Sequence, residues 1–231
     1  MGIETSSTSQ SVSNVVVAVD GSSGSGKSST SRGVAKRLGL RYLDTGAQYR
    51  AMTWWMLGQG VDVTDHAAVG ARAHEPRLVS GTDPDDPTIT IDGIDVAEPI
   101  RGDAVTAAVS DVAAVAAVRT RLVAQQRQTI GDGGIVVEGR DIGSVVWPDA
   151  AVKMHLTADV SARASRRSAE QGGADAAATE ADLRRRDEKD STRAVDPARR
   201  ADGSHDLDTT DITLEQAIDA IVALVREAAE N

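Results

Sequence analysis

The sequence predicts an α/β fold: a parallel sheet layered between helices, with a small antiparallel sheet inserted into it. Three observations predict this. Val15 to Val19 and Ile135 to Val137 are apolar runs that do not alternate, as strands buried on both faces require. Between such runs the apolar residues recur at helical spacing. In TITIDGIDV, two alternating runs flank Asp92-Gly93, the signal of a type I′ hairpin.

Taken in order, the chain begins with MGIETSSTSQSVSN, a polar leader over 1–14 expected to be disordered. Gly2 and Ser6 meet a myristoylation pattern, but no polybasic patch follows as a second anchor. The strand Val15 to Val19 runs into Gly21 to Ser28, which matches G-x-x-x-x-G-K-[ST] in full, and a helix follows with Gly39 as its stop. Arg41 to Leu43 is the second strand, ending in Asp44-Thr45-Gly46. Ala47 to Leu57 is a helix whose Trp54 and Trp55 pack in the core, and Asp65 to Ala73 is a second. The hairpin belongs to an insert over 68–102. Ala104 to Thr129 reads as one helix, and strands are expected at Ile135 to Val137 and Val152 to Leu156. Val160 to Glu170 is a helix carrying Arg163, Arg166 and Arg167, and Gly172 to Ala178 is a flexible join. Thr179 with Asp182 marks the start of a helix that continues to about Thr192. Asp206 to Asp208 forms a last strand, and Thr213 with Gln216 caps the final helix. The units are thus a core over 15–67, 103–171 and 201–231, the insert, and a segment 172–200 hinged at Gly172-Gly173 and Pro197.

Composition narrows the function. With 231 residues and 2% aromatic side chains, the core is built from Val, Ala, Leu and Ile. The lack of cysteine excludes disulfides, thiolate metal sites and a cysteine nucleophile, and fits a reducing, cytoplasmic setting. A net charge of −10 argues against a nucleic-acid or anionic-membrane surface. No run approaches a membrane span, and the expectation is a monomer.

In such an acidic chain, clustered basic residues are informative. The glycine-rich loop (Gly21, Ser22, Ser23, Gly24, Ser25, Gly26, Lys27, Ser28, Ser29) turns backbone N–H groups and a helix N-terminus toward one point, an anion cradle for the phosphates of ATP. Lys27 reaches the β- and γ-phosphates, and Ser28 sits on Mg²⁺. Glu138, at the end of an apolar strand, can orient the same Mg²⁺ through water. Arg50 and Arg140 follow the second and third strands, whose carboxyl ends share one edge of a parallel sheet. Converging guanidinium groups imply a second phosphorylated substrate. Arg186, Asp190 and Arg193 fall on one face of a helix, either as an exposed ion-pair ladder or as a lid that brings arginines over a transferring phosphoryl group.

DGSSGSGKS, LDTGAQYR, the hairpin insert, EGRDIGSVVWPDA and RRRDEKDSTRAV together resemble bacterial cytidylate kinases, from Val15 onward. The resemblance implies the nucleoside monophosphate kinase fold: a three-layer P-loop core, a monophosphate-binding region enlarged by the antiparallel insert, and a helical lid. It implies phosphoryl transfer from ATP to CMP or dCMP. It puts the acceptor phosphate on Arg50 and Arg140, the base on Ser110, Arg119 and Asp141, and ribose and lid contacts on Arg186, Asp190 and Arg193. Thr45 falls beside the nucleotide, Arg163 where related kinases stack adenine, and Arg167 at a lid-side phosphate contact. Lys27, Arg140, Arg186 and Arg193 are the catalytic set. The chain departs from the family in having Glu138 where Asp is frequent, and in lacking a proline shortly before Arg119.

Cytosine offers an amino donor at N4 and acceptors at N3 and O2, which a carboxylate and a guanidinium read together. Uracil places an acceptor against the carboxylate, so CMP is expected over UMP. Other readings are a kinase for UMP, AMP or shikimate, a nucleotide-dependent switch, or a nucleotide-binding domain without turnover. The N/T-K-x-D guanine-reading stretch of GTPase switches does not occur.

Overall fold

The computed structural model describes residues 12–170, 173 and 175–230. Strands β1 (Val16–Gly21), β2 (Arg41–Asp44), β6 (Ile135–Gly139), β7 (Val152–Thr157) and β8 (His205–Asp208) form a parallel sheet in the order β2-β6-β1-β7-β8. A separate antiparallel sheet joins β3 (Leu78–Ser80), β4 (Ile89–Ile91) and β5 (Ile94–Asp95). Asp92 and Gly93 both have positive φ, 52° and 82°, as the type I′ turn requires.

β1 is buried along its whole length because both of its faces are covered. Val17 and Val19 join a cluster with Val34 of α1 (Lys27–Leu38) and Ile218, Ile221 and Val225 of α8 (Leu214–Glu230). Val16 and Ala18 face the opposite layer, with Leu43, Ile130, Val137 and Ile142. A third cluster lies under the small sheet, where Met52 and Met56 of α2 (Thr45–Gly58) meet Val69 of α3 (His66–Arg72) and Ile91. Trp55 is buried there and Trp54 packs against it, the core placement expected of both. The Trp55 Nε1 donates to Asp92 Oδ2 at 2.9 Å, tying the hairpin turn to α2.

Four sequence expectations are corrected. The stretch from Ala104 to Thr129 is two helices, α4 (Asp103–Ala113) and α5 (Ala116–Ile130), separated at Val115, whose backbone is extended (φ −77°, ψ 120°). The break buries Val112, Val115 and Val118 together, and it needs no proline. It also has a functional result: nine positions along one continuous helix would set Ser110 and Arg119 about 180° apart. With the break, both line the same cavity.

The helix placed at Thr179 begins a turn earlier. α7 (Ala176–Thr192) is capped by Asp175, which accepts from the Ala177 N–H at 2.9 Å, and Thr179 donates back to the Asp175 carbonyl at 2.8 Å. Residues 176–178 of the expected flexible join are therefore helical, while 171, 172 and 174 lie outside the described residues. The polar leader ends sooner than expected. Val12 is buried in the core beneath β1 and its carbonyl accepts from the Val15 N–H at 3.1 Å, because an apolar side chain there finds a ready-made cluster. The rest of the leader, with Gly2 and Ser6, lies outside the described residues.

After β6 the chain makes a wide π turn, Ile142–Val146, that sequence periodicity does not reveal. It leads to β7, then to α6 (Val160–Glu170). The capping box of α8 forms as read: the Thr213 N–H donates to Gln216 Oε1 at 2.8 Å and the Gln216 N–H to Thr213 Oγ1 at 3.2 Å. No helix among the described residues is long and apolar enough to cross a membrane.

Candidate active site

The carboxyl ends of β1, β2 and β6 end level with one another, since Asp20 pairs with Gly139 and Asp44 with Glu138. A cavity of about 750 Å³ opens over this edge, between the glycine-rich loop, α2, α4, α5 and α7.

The loop leaves β1 at Gly21, where a Cβ would lie 2.1 Å from the Leu156 carbonyl oxygen, so only glycine allows β1 and β7 to approach this closely. The Ser22 carbonyl accepts from Lys27 Nζ at 2.6 Å and from Ser25 Oγ at 2.9 Å. Ser25 thereby faces into the loop, whereas Ser23, Gly24, Gly26, Lys27, Ser28 and Ser29 line the cavity. Burial, reinforced by the Arg140 charge, holds Lys27 below the usual lysine range, so this ammonium gains most from an anion beside it.

Ser28 Oγ donates to Glu138 Oε2 at 3.0 Å, and the Tyr42 hydroxyl donates to Oε1. Burial and the nearby Asp44 charge push the Glu138 carboxyl up from the ordinary range. A hydroxyl and a carboxylate side by side at the phosphate cradle are hard oxygen donors suited to Mg²⁺ and its waters, and a cation there would relieve the carboxylate repulsion. Thr45 Oγ1 donates to the Glu138 carbonyl at 2.7 Å, fixing the start of α2 to the end of β6.

At the other end of the cavity lies a buried ionic group. Arg119, 2% exposed, pairs with Asp141 through Nη2 and with Asp196 through Nε at 2.9 Å. Arg193 reaches the same Asp141 Oδ2 at 2.8 Å. Ser110 Oγ donates to Asp190 Oδ1 at 3.3 Å, and Asp190 Oδ2 lies 3.2 Å from Arg140 Nη2. Residues of α7 and of the segment after it thus form one wall of the cavity.

Between the two ends stand Arg50, Arg140 and Arg186, all lining the cavity. Arg50 Nη1 is held by the Ile100 carbonyl and Thr106 Oγ1, each at 3.0 Å. Burial first, then neighbouring arginines, holds Arg50 and Arg186 below the ordinary arginine range. Arg186 Nη1 lies 3.4 Å from Ser23 Oγ, and its buried Nε has no hydrogen-bond partner among the described residues. Mutually repelling, desolvated cations with an unmet donor form a site that calls for anions.

Arg167 lines the cavity, but Arg163 does not. The buried Arg163 guanidinium is held by the Ala158 carbonyl (3.0 Å), the Ser23 carbonyl (3.1 Å) and Asp187 (2.6 Å), against the glycine-rich loop. Arg166 lines the cavity instead, beside Thr209, Ile212, Thr213 and Leu214. Sequence reasoning gave no role to Arg166, Asp20, Tyr42, Asp44 or Asp187. For Asp20 a signal existed, a carboxylate closing a buried strand.

The parallel sheet, the phosphate cradle at its edge and the facing arginines define a P-loop kinase. The backbone superimposes over 95% of its length on 95% of a gluconokinase from Sinorhizobium meliloti, with a TM-score of 0.52 at 16% identity, a likeness of fold alone. The family model for cytidylate kinase matches residues 17–227. The chain is 56% identical over 215 residues to a cytidylate kinase of Streptomyces avermitilis, covering 92% of this chain and 93% of that protein. It is 54% identical over 223 residues to one from Rhodococcus jostii, covering 94% and 97%. The chain belongs to the cytidylate kinase family.

Proposed function

We propose that this chain transfers the γ-phosphoryl group of ATP to CMP or dCMP, giving ADP and CDP or dCDP. One observation carries the reading: the buried Arg119–Asp141 pair and Ser110 line the same cavity as Lys27, with Arg50, Arg140 and Arg186 between them. A base reader at one end, a triphosphate cradle at the other and cations between are what two-nucleotide phosphoryl transfer needs. Family membership supports CMP over the rival acceptors UMP, AMP and shikimate, and a kinase over a nucleotide switch.

In this reading Gly21 to Ser29 and Arg167 hold the donor phosphates, and Arg166 with the Ile212–Leu214 shelf lies at the donor base, with Arg163 behind them. Arg50 and Arg140 hold the acceptor phosphate. Asp141 accepts from the cytosine N4 amino group, and Arg119 donates to N3 and O2. Asp190, with Arg186, meets the ribose, and Thr45 lies beside it. Ser28 and, through water, Glu138 hold Mg²⁺, which neutralises the donor phosphates when bound. We read 68–102 as the monophosphate-binding insert and 172–200 as the lid. The absence of cysteine, the polar leader and the net charge of −10 support a cytoplasmic, monomeric enzyme that binds no nucleic acid or membrane.

No general base is required. The attacking oxygen belongs to a phosphate whose second pKa is about 6, so it is mostly dianionic at neutral pH. Lys27, Arg140, Arg186 and Arg193 supply positive charge to a loose in-line transfer, and the closed lid excludes water as a competing acceptor. The test is ADP formation from ATP with CMP, dCMP, UMP, AMP and shikimate as separate acceptors. Turnover mainly with CMP and dCMP is expected. Equal turnover with UMP or AMP, or none with any acceptor from folded protein that binds ATP, would overturn the reading.

A further inference from the structure

Asp187 lies on the lid helix directly after Arg186, yet it does not line the cavity. Its carboxylate is divided between two arginines, Arg163 against the glycine-rich loop and Arg140 on the cavity wall. Oδ2 accepts from Arg163 Nη1 at 2.6 Å, and Oδ1 lies 3.4 Å from Arg140 Nη1. On the donor side, the same Arg163 Nη1 also donates to the Ser23 carbonyl of the glycine-rich loop at 3.1 Å. On the acceptor side, Arg140 Nη2 lies 3.2 Å from Asp190, which accepts from Ser110 at 3.3 Å. One line of charge-assisted hydrogen bonds therefore runs from Ser23 through Arg163, Asp187, Arg140 and Asp190 to Ser110.

We propose that Asp187 is a positioning residue that couples occupation of the donor and acceptor ends of the cavity. Donor phosphates in the cradle fix the loop that carries Ser23. Ser23 then fixes Arg163, and Asp187 passes that constraint to Arg140 across the lid. Arg140 is held in reach of the acceptor phosphate before the acceptor arrives, so less ordering remains when it binds. By linkage the effect is reciprocal, and each nucleotide tightens the other by the same factor. A carboxylate is the right middle link: its two oxygens hold two guanidinium groups at once, which an amide, with one acceptor, cannot do. This rests on the ATP and CMP reading above.

The test measures CMP affinity by calorimetry with and without a non-hydrolysable ATP analogue and Mg²⁺. In the parent protein the analogue is expected to tighten CMP at least about fivefold, the low end of ordinary coupling. Asp187→Asn is expected to bring the ratio to within about twofold of unity while each nucleotide still binds alone. Glu188→Gln removes the same charge from an exposed position on the same helix and keeps the parent ratio. Arg163→Met, which keeps the length of the side chain but has no donor for Ser23 or Asp187, loses the coupling in the same way and decides the matter if Asp187→Asn binds neither nucleotide. A parent ratio of one, or a parent-like ratio in Asp187→Asn or Arg163→Met, overturns the proposal. Failure of the parent protein to bind either nucleotide would overturn the functional reading beneath it.

Discussion

Arg193, just beyond the end of α7, rests 2.8 Å from the same Asp141 oxygen that Arg119 holds from α5. The carboxylate assigned to the base is thus gripped from two sides, by α5 and by the segment after α7. Asp141→Asn keeps the shape but replaces one acceptor by a donor, which suits the O4 of uracil better than the N4 of cytosine. We expect kcat/KM for CMP to fall by on the order of 100-fold, the loss of one charged hydrogen bond, and the CMP to UMP ratio to shrink by at least about tenfold. Steady-state kinetics on both nucleotides measures this. An unchanged ratio removes Asp141 from base recognition.

Lys27 makes its hydrogen bond to the Ser22 carbonyl and otherwise faces the cavity. Lys27→Ala should therefore abolish turnover, by on the order of 10³-fold or more, with a thermal midpoint close to that of the parent protein. Near-normal turnover would mean that the charge on the transferring group is met elsewhere.

The sheet and the cradle were legible because local sequence determines them. Val15 to Val19 cannot be half-exposed, and Gly21 to Ser28 has a single economical fold between a strand and a helix. The Thr213–Gln216 box was legible for the same reason. The break at Val115 was not, because it is imposed by the packing of Val112, Val115 and Val118 in a cluster assembled from distant segments. Asp187 was hidden differently. Its partners Arg140 and Arg163 lie 47 and 24 residues away, and within RRRDEKD it reads as one more exposed charge. Arg163 was hidden in the same way, its guanidinium being held against the glycine-rich loop by Asp187 and the Ser23 carbonyl.

Tyr42 donates to Glu138 Oε1 and so leaves Oε2 for Ser28. Burial and the Glu138 charge push this phenol far above its ordinary value, so it remains a donor at every working pH. Tyr42→Phe deprives a buried carboxylate of a partner. We expect it to cost about 1–3 kcal/mol of stability and to raise the Mg²⁺ concentration needed for half-maximal activity. Urea denaturation and a Mg²⁺ titration check the two halves. If neither changes, the hydroxyl does not hold Glu138.

Asp20 closes β1, with Oδ1 accepting from the Ile142 N–H at 2.7 Å and Oδ2 from the Gly143 N–H at 2.8 Å. It clamps the π turn that follows Asp141 onto the strand that leads into the cradle. Burial pushes its carboxyl from 3.8 up to about 6, against the pull of those two hydrogen bonds, and the Asp141 charge adds to the rise. Between these values the folded state binds the proton more tightly than the unfolded chain. The stabilisation from protonation is therefore complete below about pH 4 and is lost as the pH rises through about 6, a span worth about 3 kcal/mol. Asp20→Asn cannot titrate, and its amide nitrogen cannot accept from a backbone N–H, so it is the less stable protein at low pH. Its deficit should shrink as the pH rises from 4 to 7, with the other carboxylates cancelling in the difference. Urea denaturation of both proteins across that range measures the deficit, and one that stays constant would mean that Asp20 holds the π turn in a single protonation state throughout.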